Sequence, residues 1–302
     1  RFAHKLLLEI LCNEDTSYPN QKFKEHLTQL TKPYNRTTAL EAQYQKLRNI
    51  PVVFTYKIAS KSENAKFHRD QSVLPADNRV IFLPPNAGSS HPVYINASRV
   101  DSLRKKDNFI VTEHPMSSTL PIAWKMVLEK QINVWVLLHT FPLDDEDFPS
   151  VLSMAPGILS LDIISQNTNQ NFSQFDITVT SSANNQSHTC RVLQLNKWLY
   201  TQDLPSSSDS ILALLQHLST LDINSKPLLF SCKNGYSGCG VALALHMILS
   251  RMQEVEEVDV YRVVHCIRHS HSQFIGTLEQ YEFLYKNISS YLHGYSIYNN
   301  MF

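Results

Sequence analysis

Leu228-Leu229-Phe230-Ser231-Cys232-Lys233-Asn234-Gly235-Tyr236-Ser237-Gly238-Cys239-Gly240 is the stretch whose reading decides the fold. It opens as a short apolar strand and turns through a loop over Cys232 to Gly240. From Val241 to Met252 the apolar residues then recur at helical spacing. The chain has only 7 glycines in 302 residues, and Gly235, Gly238 and Gly240 all fall in this loop. Glycine lets backbone N–H groups turn inward, and a following helix adds its positive N-terminal end. Strand, glycine loop and helix together make a cradle for an anion, with the Cys232 thiol at its mouth as the natural nucleophile on a phosphate ester. The same residues also read as a tight strand-to-helix turn with a buried cysteine, and the loop by itself does not choose between the two.

Around the loop, strand-like runs occur at Tyr94–Ala97, Phe109–Thr112 and Val134–Leu138. Ser173–Thr180 alternates, with Phe175, Ile177 and Val179 on one face, and Cys190–Leu195 reads as its partner. A serine-rich turn at Ser206–Ser210 opens a helix carrying Ile211, Leu214, Leu215 and Leu218. Two further helices are expected near 258–270 and 277–292, the last with a stripe of Leu278, Tyr281, Leu284, Ile288 and Tyr291. Toward the N-terminus, helical patterns run through Leu6, Leu7 and Ile10, through Phe23, Leu27 and Leu30, and through Leu40, Tyr44 and Leu47. Asn13–Pro19 reads as a loop. Between Ile50 and Ser90 the chain is polar and proline-rich, and Pro75, Pro84 and Pro85 exclude a long helix there. The pattern predicts an α/β (α+β) architecture, a central mixed twisted sheet flanked by helices.

Composition narrows the function classes. The chain is 43% hydrophobic, which suits a substantial core and excludes a disordered chain. Its 27 basic and 27 acidic residues cancel, so no cationic face for nucleic acid is expected. No apolar run reaches the ~18 residues of a membrane span, so no membrane insertion by this segment is expected either. Cys12, Cys190, Cys232, Cys239 and Cys266 are odd in number and scattered, which fits free thiols in a reducing compartment. The chain opens on Arg1 rather than Met, as a piece of something longer would.

With these residues in view, the loop resembles the signature of the protein tyrosine phosphatase family, His-Cys-x-x-Gly-x-x-Arg-Ser/Thr-Gly, which Cys232, Gly235 and Gly240 match. Tyr94-Ile95-Asn96-Ala97-Ser98 is similar to the family's Tyr-Ile-Asn-Ala-Ser segment. Phe109-Ile110-Val111-Thr112-Glu113-His114-Pro115, followed by Trp124-Lys125-Met126, resembles its Ile-x-Thr-Gln-x-Pro … Phe-Trp-x-Met block. Val258-Asp259-Val260, Arg268 and Thr277-Leu278-Glu279-Gln280-Tyr281 resemble its closing helices. The likeness runs in order from about residue 38 to 293. It implies a phosphatase-like domain over 38–296, a linker with helices over 1–37 and a tail over 297–302. Leu7-Leu8-Glu9 and Leu40-Glu41-Ala42-Gln43-Tyr44 resemble the approach to the second, membrane-distal cytoplasmic domain of tandem receptor-type phosphatases. The Glu113-His114-Pro115 variant leans to the gamma/zeta branch or an invertebrate relative.

The departures from the pattern carry the functional expectation. The family's phosphate-binding Arg falls at Gly238, which provides none of the Arg's charge-assisted bonds, each worth about 1.5–3 kcal/mol. Its general-acid Asp, two residues after Trp198, falls at Tyr200, and a phenol of pKa about 10 is a poor acid for this leaving group. Asp203 would serve only if the loop were rearranged. The Tyr that stacks on phosphotyrosine falls at Asp70, and the first Gln of the late Gln pair at Gly276, while Gln280 remains. The resemblance thus implies a vestigial nucleophile at Cys232 and a degenerate anion loop, Cys232, Lys233, Asn234, Gly235, Tyr236, Ser237 and Gly238. It implies no functional catalytic residue, no cofactor and no metal.

The expected role is that of a catalytically inactive domain facing the cytoplasm beneath a single-pass plasma-membrane receptor. Its implied partner is the active phosphatase domain of the same chain, with a second receptor copy or cytoplasmic signalling proteins as further candidates. Restoring chemistry is expected to need Gly238→Arg together with Tyr200→Asp. Two alternatives stay open: a module that binds phosphotyrosine without hydrolysis, and a redox-sensing thiol at Cys232, activated by Lys233 and the helix end and pairing with Cys239. For the thiol, an inert relic is the plainer account. His265, His269 and His271 lack a third ligand at matching spacing and read as a polar helix face rather than a metal site. Asp144-Asp145-Glu146-Asp147 reads as a solvated loop, and Met247 and Met252 as core.

Overall fold

The computed structural model describes residues 16–34, 37–86, 88–142, 145–153, 157–221 and 226–299. The strands are β1 (Tyr18–Pro19), β2 (Pro33–Tyr34), β3 (Thr37–Thr38), β4 (Val80–Leu83), β5 (Val93–Val100), β6 (Phe109–Glu113), β7 (Val134–Leu137), β8 (Leu159–Thr168), β9 (Phe172–Ser181), β10 (Ser187–Leu195), β11 (Leu228–Cys232) and β12 (Glu257–Val258). The helices are α1 (Phe23–Leu30), α2 (Ala39–Asn49), α3 (Leu120–Lys130), α4 (Asp209–Ser219), α5 (Ser237–Val255), α6 (Val260–Arg268) and α7 (Leu278–Asn299). They divide into two units. Among the described residues, one takes in those of 54–100 and 107–239; the other takes in those of 16–53, 101–106 and 240–299.

The first unit is built on one mixed sheet. Among the described residues its order is β4-β5-β6-β11-β7-β10-β9-β8. The middle is parallel, β6 beside β11, β11 beside β7 and β7 beside β10, while both flanks are antiparallel. β6, β7 and β11 are buried at every position, as parallel strands covered on both faces must be. Trp124 of α3 and Trp135 of β7 meet edge to face at 5.3 Å within this core. Their indole N–H groups donate to Val151 O and Ser231 Oγ, so neither buried polar atom is orphaned. β9 and β10 pair as expected, antiparallel, with Ile177 opposite Cys190.

The second unit is helical. Thr38 caps α2 in a reciprocal box with Glu41, and Leu40, Tyr44 and Leu47 form its buried stripe. Tyr44 packs on Tyr281 of α7, and the hydroxyls of Tyr281 and Tyr285 both donate to Gln43 Oε1. Asp259 caps α6 and accepts from Thr16 Oγ1. Met247 and Met252 are buried, as core residues should be.

Several details differ from the sequence expectation. β4 lies in the region where only a long helix was excluded: Val80-Ile81-Phe82-Leu83 is a short run between loops that pairs antiparallel with β5. β8 carries no strand signature in the sequence because it is an edge strand whose residues are mostly polar and exposed, so period-2 alternation is weak. Asn13–Pro19 is not all loop, since Tyr18–Pro19 pairs with β12. α5 begins at Ser237, inside the glycine stretch, and α7 runs beyond the expected end near 292 to Asn299. His265 and His271 are buried rather than on a polar face, and burial pushes both imidazoles down to about 4. The patterns at Leu6, Leu7 and Ile10, together with Cys12 and Asp144, lie outside the described residues.

Candidate functional site

Parallel strands deliver their C-terminal ends to one edge of a sheet, where ligand sites of α/β folds form. β6 ends there in Glu113 and β11 in Cys232, which are register partners, and the His114 amide donates to Cys232 O at 2.7 Å. β7 leads to His139 one residue after Leu138, whose amide donates to Ser231 O. Cys232, His139 and Glu113 therefore sit side by side because three adjacent strands end together.

The loop that follows Cys232 is tight. Gly235 has φ +80°, and a Cβ there would lie 2.8 Å from the backbone N of Glu113. Both facts require glycine. Burial by itself pushes the Cys232 thiol up, but the Cys239 thiol and the amides of Cys239, Asn234 and Gly235 hold it below its ordinary value. Burial and the donated bond to Cys232 push Cys239 well above its own. Both cysteines are free and buried. Lys233 does not produce this shift: its ammonium lies over the Tyr200 ring, 5.3 Å from the centroid.

Gly238, at the position the resemblance assigns to the phosphate-binding Arg, faces no empty pocket. A Cβ there would meet His139 Nε2 at 3.0 Å, Cys232 Cβ at 3.1 Å and Trp198 Cη2 at 3.4 Å. The imidazole cannot yield, because the Lys233 amide donates to its Nδ1 at 3.0 Å and its ring packs edge-on against Trp198. That bond places the proton on Nε2. Burial, with Lys233 and His114 nearby, pushes the His139 imidazole down to about 3, so it is neutral. An Arg at Gly238 would therefore need more than the paired change at Tyr200, since His139 already occupies the direction an Arg side chain would take.

Tyr200, at the general-acid position, is pinned as well. Its amide donates to Thr140 O, and the Thr140 amide donates to Trp198 O. Its ring packs with Phe141 and Phe148 at centroid distances of 5.4 and 5.0 Å. Asp203 is exposed on the same loop. Asp70 is also exposed and is spent locally, its Oδ1 accepting from Ser72 N and Oγ. Its neighbour Arg69 spreads over the Phe148 ring at 4.0 Å and donates to His114 O and to Asp147 O at 2.6 Å. Asp145, Glu146 and Asp147 are thus part of a loop clasped by Arg69 rather than only a solvated run. Within the helical unit, the Gly276 amide donates to Gln280 Oε1, and Thr277 Oγ1 accepts the Gln280 amide, so the retained Gln is engaged at the start of α7.

Two groups of this site escaped sequence reasoning. His139 follows a strand with no motif to mark it. Glu113 stands in the sequence only as part of the Phe109–Pro115 block and of its Glu-His-Pro variant, yet its carboxylate accepts the Arg69 amide through both oxygens at 3.0 Å. Burial pushes Glu113 up to about 8, against the pull of the Arg69 amide and charge and of Asn96. Among the described residues no group of three His, Cys, Asp or Glu is gathered to hold a metal ion.

The protein-tyrosine phosphatase family profile matches residues 64–290, and the chain belongs to that family. It is 24% identical over 309 residues to human (Homo sapiens) receptor-type tyrosine-protein phosphatase alpha, covering 99% of this chain and 38% of that one. It is 26% identical over 314 residues to the epsilon protein of Mus musculus, covering 99% of this chain and 45% of the relative. With tyrosine-protein phosphatase Lar of Drosophila melanogaster the figures are 24% over 310 residues, 99% and 15%. The chain therefore spans less than half the length of each of these relatives.

Two outcomes follow from the site. Gly238→Ala should lower the unfolding free energy by about 1–3 kcal/mol in denaturant titration, the cost of overpacking a fixed site, and Gly238→Arg should gain no phosphatase activity. Glu113 sets a pH dependence. Its folded value of about 8 lies above the ordinary 4.5, so its contribution is fully present below pH 4.5 and is lost as pH rises through 8. The slope is about 1.4 kcal/mol per pH unit for one proton. Thermal melts from pH 5 to 8 should show this fall in the wild type, and Glu113→Gln should flatten it.

Proposed function

We propose that this chain is a catalytically silent phosphatase domain, the membrane-distal second domain of a receptor-type protein tyrosine phosphatase. The observation that carries the reading is Gly238, with its side-chain direction filled by a neutral His139. Phosphoryl transfer needs charge stabilisation where the transferred group's oxygens develop charge, and a removed donor costs factors of 10² or more. Tyr200 in place of an Asp removes the proton donor as well, and Asp70 sets a carboxylate where an aromatic face would stack. In this reading the scaffold is kept for regulation: docking on and stabilising the active domain of the same receptor chain, with a second copy or cytoplasmic signalling proteins as further partners. The domain then lies on the cytoplasmic side of a single-pass receptor. No helix among the described residues is long and apolar enough to cross a membrane. Glu113-His114-Pro115 remains the residue-level mark of the gamma/zeta branch or an invertebrate relative.

One observation favours a second reading, a module that holds phosphotyrosine without cleaving it: the loop amides still converge on the Cys232 sulfur. The test of the first reading is phosphate release from a phosphotyrosyl peptide by the wild type and by Cys232→Ser. The two should be indistinguishable from buffer. Release by the wild type that Cys232→Ser abolishes would overturn it.

A further inference from the structure

We infer that β8, an outer edge of the large sheet, pairs with β8 of a second copy of this chain, antiparallel about a two-fold axis between Ile163 and Ile164. This gives a surface to the second-copy partner of the reading above and rests on that part of it, not on catalytic silence. Among the described residues the sheet ends at β4 on one side and at β8 on the other. An open edge offers unpaired N–H and C=O groups to another strand, and proteins blunt it with short strands, prolines and lysines. The β4 edge is blunted in this way. It is four residues long and runs into Pro84 and Pro85, and Lys125 Nζ donates to Pro84 O and Asn86 Oδ1. β8 has ten residues without a proline, glycine, lysine or arginine, and Asp162 is its one charge. On it Ile163 and Ile164 are 49% and 65% exposed.

What selects a second copy as the occupant is the bulge. The pairing of β8 with β9 sets Ile163 opposite Ile177 and Ser165 opposite Asp176, so Ile164 is an extra residue. Side chains of a strand alternate between its faces, so residues an odd number apart lie on opposite ones. The extra residue reverses this across the bulge. Asp162 and Ser165 stand opposite Thr178 and Asp176, two residues apart on β9 and hence on one face. Leu161 and Gln166 stand opposite Val179 and Phe175, together on the other. Ser160 and Asn167 match in the same way, opposite Thr180 and Gln174, and so do Leu159 and Thr168, opposite Ser181 and Ser173. The faces of β8 thus follow one another identically from either end, as pairing with its own copy about a two-fold requires. Under that operation Leu159–Asp162 of one chain lies along Ser165–Thr168 of the other, with the two bulges together at the axis. Asp162 then opposes a hydroxyl and not a second carboxylate, so no like charges face each other. Ile163 lies opposite the buried Ile177, so pairing carries the apolar layer of the core across the axis onto the second Ile163.

Sedimentation equilibrium over a concentration series, on the whole 302-residue chain, tests this. The wild type should pass from monomer to dimer with a dissociation constant in the micromolar range. Hydrogen exchange at residues 159–168 should slow as the concentration rises, a reading that needs no variant. Ile164→Lys should weaken association by about tenfold or more, as a charge set on an open edge does. Val53→Lys, at a position 89% exposed on another segment, should leave it unchanged. Asp162→Cys combined with Ser165→Cys should give a disulfide-linked dimer on oxidation, and neither single variant should, because opposed residues of an antiparallel pair come within disulfide reach. A wild type that stays monomeric across the series would overturn the inference. So would equal association of the wild type and Ile164→Lys, or exchange at 159–168 that slows only when a different protein is added. Self-association is read without substrate, so its failure is distinct from a failure of catalytic silence, which phosphate release reads.

Discussion

The hydrogen bond from the Lys233 amide to His139 Nδ1 is the constraint around which the site is arranged. It ties the end of β7 to the first residue after β11, fixes the imidazole tautomer and turns Nε2 onto Gly238. From that one orientation follow the tight space at Gly238, the edge contact with Trp198 and the neutrality of a ring placed deep in the protein. A histidine held this way is a wall of the site and not its base: with a pKa near 3 it takes no proton at physiological pH.

The rest of the site is organised against the same wall. Thr140, one residue on, is strapped to Trp198 and Tyr200, so the segment that the family resemblance assigns to proton donation is packed on Phe141 and Phe148. Lys233, freed from any duty toward the thiol, lies over Tyr200. Arg69 clasps the neighbouring loop through Asp147 and Phe148 rather than reaching toward Cys232. What remains of an anion cradle is the set of amides around the sulfur, and these still hold the Cys232 thiol below its ordinary value. Stability and electrostatics point the same way: groups with charge to offer a phosphate are spent on the protein's own packing.

Much of this was legible in the sequence where chemistry is written in residue type. The strand, glycine loop and helix around Cys232, the substitutions at Gly238 and Tyr200, and the helical stripe of Leu40, Tyr44 and Leu47 all follow from period and motif. What was not legible depends on partners distant in sequence. β8 is ordered by its pairing with β9 and not by its own polar residues. Glu113 acquires its raised proton affinity chiefly from burial, against the pull of the Arg69 amide, 44 residues earlier. His139 looks like any residue after an apolar strand until the topology brings β7 and β11 together. The start of α5 at Ser237 was missed because three glycines weigh against a helix locally, whereas Asn234 caps it.

The state of the His139 ring is the central point of the site, and nitrogen-15 NMR of the imidazole reads it directly. The spectrum should show an unprotonated Nδ1, a protonated Nε2 and no titration between pH 8 and 5, in line with a value of about 3. A ring that carries its proton on Nδ1, or one that titrates near the ordinary value of about 6.5, would contradict it.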